Sequence, residues 1–486
     1  MIPALCKIGL AVALTATLGP ATAIAQDATG VLRRATAAMT GSTDLKTLRY
    51  AGRGTGASFG QAYVATDPWP KLNYSRYVRQ LDYDKVYISE EVMQGRAEPK
   101  GGGAVPLTGE APAVTAANAY RAWNGAGAAA GPRQGAHAAR LHNLWITPHG
   151  VIKAAMQNKA TLDFRTEGGR SLAALSFAVP GVMQATALLN DDFLVERVES
   201  RLSDQVLGDI AVITTFADYR DFNGVKFPTR IEQRQAGHMT LSLNVTDVSP
   251  NATIDETVPE NVAKSSGERV TAEKAAEGVW FIAGGSHHSV AIEMADHVIL
   301  VEAPLGDERA AAVFAETRKL VPNKPIRYVV NSHNHFDHAG GLRYAASQGA
   351  SLVVQAQSKA YFERAMANPS RITPDAHSKM GKRAAVVGVG EKAVMRDATR
   401  AVEIHHIKDS VHSDAMLLVY LPNERLLVEA DLYSPGPPNA PAPTPPNGLH
   451  LELVKNVDRL KLAVDRILPL HGRIVPLAEL NRMVGK

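Results

Sequence analysis

The sequence is nearly without cysteine: Cys6 is the single one in 486 residues. Structural disulfides are thereby excluded, and Cys6 lies inside an apparent leader segment, so thiolate metal ligands are excluded from the mature chain as well. Any metal must be held by His, Asp and Glu. Long apolar runs are also missing. Residues 8–18 form the best candidate, but the run is shorter than a bilayer crossing needs and Gly19-Pro20 ends it. No membrane span is expected in the mature protein. No dense Lys/Arg block is present either: 52 basic residues stand against 48 acidic ones, for a formal net charge of +4. Nothing in that pattern recommends a nucleic-acid partner.

What is present fits an exported two-domain protein. A chain of 486 residues exceeds what one hydrophobic core serves, and 45% hydrophobic with 21% charged residues is ordinary for a soluble globular protein. Lys7, the apolar residues 8–18 and Ala23-Ile24-Ala25 before Gln26 have the three-part layout of a secretory signal peptide over residues 1–25. The expected location is periplasmic or secreted.

Residues 27–258 read as a mainly antiparallel β domain. A helical pattern covers 31–39, and alternating segments at 211–216, 226–231 and 239–245 are separated by turn signals such as Asn223-Gly224. The pattern loosely resembles the half-barrel of bacterial lipoprotein-carrier proteins. Residues 95–137 are rich in Gly and Ala and poor in large apolar side chains, which predicts a long mobile excursion. Residues 259–269 are polar and aperiodic, as a linker is. From 270 to 486 the rhythm changes. Strands are predicted near 278–282, 290–302, 326–331, 351–354, 402–407, 415–421 and 425–429, with helices at 307–320, 357–366 and 449–464. Interleaved strands and helices indicate a layered α/β architecture.

The segment with most chemistry follows the strand at 326–331: His333-Asn334-His335-Phe336-Asp337-His338. Imidazole and carboxylate are good ligands for first-row metals, and alternation along an extended loop points His333 and His335 the same way. Further along stand His412-Ser413-Asp414, Glu429-Ala430-Asp431 and Pro469-Leu470-His471-Gly472.

The first run resembles the His-x-His-x-Asp-His signature of the metallo-β-lactamase superfamily, and the later elements are similar, in order, to that family's remaining ligand positions. The resemblance implies an αββα sandwich over 270–486. It implies two divalent metal ions, zinc above others, sharing a hydroxide that attacks a polarised substrate. His333, His335 and His412 would hold one ion, Asp337, His338 and His471 the other, with Asp431 bridging. Asp337 would also be the catalytic residue that orients the hydroxide and passes its proton to the leaving group. Two departures stand out. Glu302 occupies a position where the family usually has Asp, and Ala430 one where it usually has Gly. Glu302 still offers a carboxylate that can hold a ligand's far side.

Other residues are candidates for substrate contact. His287 and His288 sit at a hairpin tip that overhangs the metals in this family, and Tyr433 lies two residues beyond Asp431. The proline-rich stretch 435–446 reads as a rigid wall near the site or an extended spacer, and its position just after Asp431 favours the pocket wall. His405 and His406 lie on a strand, where alternation sends one inward, and the remaining histidines read as surface or local hydrogen-bonding groups. A bridging aspartate resembles the glyoxalase II and lactonase-like branches of the family, so an ester, lactone or similar carbonyl compound is the expected small-molecule substrate. A β-lactam is the alternative, and a non-catalytic envelope binding protein is the rival from another class. For the first domain three roles stay open: restricting access, binding a partner, or mediating homo-oligomerisation.

Overall fold

The computed structural model describes residues 27–98, 101–103 and 109–486. The signal-peptide reading and Cys6 lie outside the described residues. Among these no helix is long and apolar enough to cross a membrane.

The N-terminal domain is built on a 13-stranded antiparallel sheet. Its first strand, Thr47–Ala57, pairs with its last, His238–Pro250, so two meanders run outward from a central seam. The helices Ala28–Thr40, His137–Trp145 and Pro148–Gln157 lie on one face, where Val31, Ala35, Leu144 and Val151 pack against Leu48, Tyr50, Phe227 and Leu243. Two of the helices have a clear local reason to start. Asp27 caps the first by accepting from Gly30 N–H, and Thr147 caps the third with Pro148 in its first turn. This face of the sheet is thus covered by the protein's own helices.

Of residues 95–137, the described stretch 109–137 departs from the mobile excursion expected of it. Strands Glu110–Ala117, Ala122–Asn124 and Gly131–Pro132 extend the sheet, and Trp123 is buried. Small side chains are a false signal here, because strand pairing needs backbone and not bulk. Arg140 reinforces the pairing by donating to Ala116 O at 2.8 Å and Trp123 O at 2.5 Å. Within 259–269, a short helix at Glu260–Ala263 buries Val262 against Tyr87, Trp123 and Ala130.

The C-terminal region is an αββα sandwich. A 7-stranded and a 6-stranded sheet meet face to face through Val290, Ile292, Val301, Val330 and Val353 on one side and Val402, Ile404, Val419, Val428 and Leu468 on the other. The helix Asp307–Leu320 covers the outer face of the first sheet, with Asp307 and Glu308 in its first turn and Arg318 and Lys319 in its last, as the helix dipole favours. The helix Gly448–Leu460 covers the second sheet. It stops short of 464 because Lys461 turns left-handed at φ 54°.

Two seams join the domains. At one, Asn368 Nδ2 donates to Leu207 O and Asp209 O, and Arg371 N–H to Asp209 Oδ2. At the other, the loop 58–70 between strands Thr47–Ala57 and Lys71–Asp82 reaches the ends of the sandwich strands.

Candidate metal centre

Five connections at one edge of the sandwich converge on a single place. The parallel strand Ile326–Val330 leads into the His333 run, Ala401–His406 into the loop bearing His412, Leu426–Glu429 into Asp431, and Arg466–Pro469 into His471. The hairpin between Val279–Ala283 and Ser289–Glu293 brings His287 over them. His333, His335, His412 and Asp431 form one group whose ligand atoms all lie within 4.8 Å of one another, and His287, His338 and His471 form a second by the same measure.

Asp431 is the hub. Its Oδ2 lies 3.1 Å from His333 Nε2, 3.0 Å from His338 Nε2 and 3.0 Å from His412 Nε2, while Oδ1 lies 2.8 Å from His471 Nε2. Burial works against the charge on this carboxylate, but His338 and His412 outweigh it and hold the group well below the usual carboxylate range. Asp431 takes a left-handed φ of 63° and Glu302 one of 73°, backbone strain that commonly collects at functional sites.

The far nitrogens of His333, His335, His338 and His471 are committed elsewhere, which orients these rings. Ser332 Oγ gives its proton to Glu302 Oε2 at 2.5 Å and so accepts from His333 Nδ1 at 2.9 Å, leaving His333 Nε2 with a lone pair. His338 Nδ1 donates to Glu302 Oε2 at 3.2 Å, His471 Nδ1 to Ser286 O at 2.6 Å, and His335 Nε2 to Ala62 O at 3.1 Å. In the neutral rings the inward nitrogens then carry lone pairs: His333 Nε2 and His335 Nδ1 are 2.9 Å apart, and His471 Nε2 lies 3.2 Å from His338 Nε2. Opposed lone pairs around a carboxylate suit a cation that accepts them all, so the donor set fits divalent metal. Burial, with the neighbouring His338 next, lowers His333 to about 4, so it is neutral and ligand-ready at ordinary pH. His338 is the exception. Burial opposes its charge, yet Asp431, Asp337 and Glu302 push it well above the ordinary imidazole value.

Glu302 is fully buried and takes donors on both oxygens: Asn331 Nδ2 at 2.9 Å and Ser332 N–H at 3.4 Å on Oε1, Ser332 Oγ and His338 Nδ1 on Oε2. It therefore holds His338 directly and His333 through Ser332. Glu302→Gln would turn an NH2 towards two donors whichever way the amide faced. Metal affinity is expected to fall about ten- to hundredfold, measured by competition with a chelator.

Asp337 stands beside the second group and not within its tight set. Its Oδ1 accepts from Gln61 Nε2 at 2.8 Å, and Oδ2 lies 3.2 Å from His287 Nε2 and 3.9 Å from His338 Nε2. His287, expected only as a substrate contact, is thus one of the clustered imidazoles. Its hairpin tip is pinned by the buried Arg309, which donates to His287 O at 3.0 Å and to Glu268 at 2.7 Å. His288 points away: its Nδ1 accepts from Gly284 N–H at 3.2 Å and its ring packs against Phe281. Tyr433 is also turned from the cluster. It is buried in the core under Gly448–Leu460, edge-on to His450, with its hydroxyl 3.4 Å from Glu479 Oε1. Of the proline stretch, Pro435 approaches Gly472 beside His471. His405 and His406 are both buried, bonded to Glu403 and Asp414 O, and His142, His149, His297, His377 and His450 are buried as well.

Residues 282–471 match the family model of the metallo-beta-lactamase superfamily. This segment is a metallo-beta-lactamase superfamily domain. Solved structures similar to the chain include a metallo-beta-lactamase from Pontibacter korlensis, at 17% identity over 45% of this chain and 98% of that one, TM-score 0.35. The metallo-beta-lactamase FIM-1 from Pseudomonas aeruginosa, in its mono-zinc form, is 19% identical over 45% of this chain and 94% of its own, TM-score 0.33. One from Hirschia baltica is 17% identical over 45% and 97%, TM-score 0.34. None of the curated proteins matches the chain. Around the clustered His and Asp side chains of the metallo-beta-lactamase domain, Gln61, Ala62 and Arg309 are the neighbours that the sequence leaves unmarked. Gln61 and Ala62 lie in the other domain, with no local pattern to give them away.

Proposed function

We propose that the protein is an exported di-zinc hydrolase of a small ester, lactone or similar carbonyl compound. The observation that carries this reading is the Asp431 carboxylate, whose oxygens lie 2.8–3.1 Å from the Nε2 atoms of His333, His338, His412 and His471. Two zinc ions bound there would acidify water and polarise a scissile carbonyl. The chain's own residues supply the rest. Glu302, Ser286 and Ala62 O hold the imidazoles in their ligand tautomers. Asp337, ionised and about a third exposed, is the group able to take a proton from the nucleophile and deliver it to the leaving group.

A cavity of about 1020 Å³ along the domain seam, lined by Tyr63, Trp69, Pro70, Met239, Ser410 and Val411, offers room for the non-reacting part of a substrate. Its walls mix apolar side chains such as Trp69, Pro70 and Met239 with the charged Asp67, Lys71, Glu98 and Asp409, which suits a substrate portion carrying both apolar and polar groups. The test is turnover of zinc-loaded protein on a panel of lactones, carboxylic esters, β-lactams, phosphodiesters and sulfate esters. Carbonyl esters or lactones should be turned over fastest. Preference for a β-lactam would replace the substrate class, and no turnover with two ions bound would return the protein to a binding role.

A further inference from the structure

Four successive residues of the N-terminal domain, 60–63, bond to the metal-ligand loops of the other domain. Gly60 O accepts from Phe336 N–H at 3.1 Å, and Gln61 Nε2 donates to Asp337 Oδ1 at 2.8 Å. Ala62 O accepts from Asn334 Nδ2 at 2.9 Å and from His335 Nε2 at 3.1 Å. Tyr63 O accepts from Asp414 N–H at 3.1 Å, and its hydroxyl donates to Ser410 O at 3.0 Å. Aromatic packing clamps the same place: Phe59 meets Phe336 edge-on at 5.5 Å and Trp69 at 4.2 Å. Gly103 closes the contact from a second N-terminal segment, donating its N–H to Gln61 O at 3.1 Å. A Cβ there would collide with Gln61 Oε1 and come within 2.8 Å of His335 Cε1.

We infer that the N-terminal domain is a constitutive part of the metal centre, with Gln61 and the Ala62 carbonyl acting as positioning groups for Asp337 and His335. The chemistry is specific to those atoms. His335 has one proton to place. Giving it to Ala62 O leaves Nδ1 as the inward lone pair, 2.9 Å from His333 Nε2. Gln61 occupies one oxygen of Asp337 and thereby turns the other towards His287 and His338. Without Ala62 O the ring could adopt either tautomer, and without Gln61 the carboxylate could rotate into solvent. The first domain's role is then to complete the site, and the inference rests on the two-metal reading above.

The experiment uses the full chain. Gln61→Met keeps length and packing but removes the donor; Tyr63→Phe removes a seam hydrogen bond that touches no candidate ligand. Zinc affinities of both ions, melting temperature and the visible ligand-field spectrum of cobalt-loaded protein are measured on each. Gln61→Met is expected to weaken the second ion about tenfold, the scale of contacts behind ligands, with the first ion and the melting temperature unchanged and the cobalt spectrum altered. Tyr63→Phe should leave both ions and the spectrum as in the wild type. Gly103→Ala, whose Cβ displaces both Gln61 and His335, should weaken both ions. Wild-type affinities and spectrum in both Gln61→Met and Gly103→Ala would overturn the inference. So would parallel loss of both ions and of melting temperature in Gln61→Met, the mark of a merely structural seam. Wild-type protein that binds fewer than two ions would instead refute the metal reading.

Discussion

Asp431→Asn is expected to lower affinity for divalent metal by at least about a hundredfold, beyond what contacts behind the ligands usually contribute. The substitution keeps the side chain's shape, so the strand end and the left-handed turn at 431 should survive. What changes is charge and the sense of the hydrogen bonds. One carboxylate now faces the inward nitrogens of His333, His338, His412 and His471 at 2.8–3.1 Å. The amide would be neutral, and its NH2 would donate into the very lone pairs that a metal needs. Its remaining oxygen could reach one ion and not two. His412→Ala should do less. It strips one ligand from the first group, and occupancy and activity should recover in part at excess metal. Elemental analysis after dialysis, with calorimetric titration of zinc, separates the two. Two ions held at wild-type affinity by Asp431→Asn would remove the bridging role.

The contrast between those residues and Gln61 shows which parts of the site the amino-acid sequence discloses by itself. The His333–His338 run is contiguous and follows a strand, so its convergence is a local property that alternation alone reveals. The helix at 307–320 is legible for a similar reason, since its acidic start and basic end are written in neighbouring residues. Residues 110–132 mislead because their Gly and Ala content speaks of side chains, while their order comes from backbone pairing and from Arg140 across the turn. His287 and Tyr433 show the limit of position along the chain as a guide. The hairpin turns His287 into the cluster, whereas the chain's turn after Asp431 sends Tyr433 into the core. Gln61 and Ala62 are invisible in the sequence because a contact across 276 residues, like that of Gln61 with Asp337, leaves no spacing to detect. Glu302 falls between. Its carboxylate is legible as a support, but its pairing with both Ser332 and His338 requires the fold.

Asp337→Asn is expected to cut turnover at least about a hundredfold, the scale of general acid–base contributions, while leaving the first ion bound. Burial would by itself raise this carboxyl's proton affinity. The neighbouring His338 and the hydrogen bond from His287 outweigh it, so Asp337 is held well below its ordinary range and is ionised throughout the neutral region. It can therefore accept a proton there, and asparagine cannot. The amide also loses a contact. If its oxygen keeps the bond from Gln61, its NH2 is left facing His287 and His338, and if it flips, NH2 meets NH2 at Gln61. The Gln61→Met variant is the useful comparison, because it disturbs the position of Asp337 without removing its charge. A much larger loss of turnover in Asp337→Asn than in Gln61→Met, at matched metal occupancy, would assign the difference to proton transfer. Near-normal turnover by Asp337→Asn with both ions bound would show that the proton travels by another route, and His287, 3.2 Å from the same carboxylate, would be the residue to replace next.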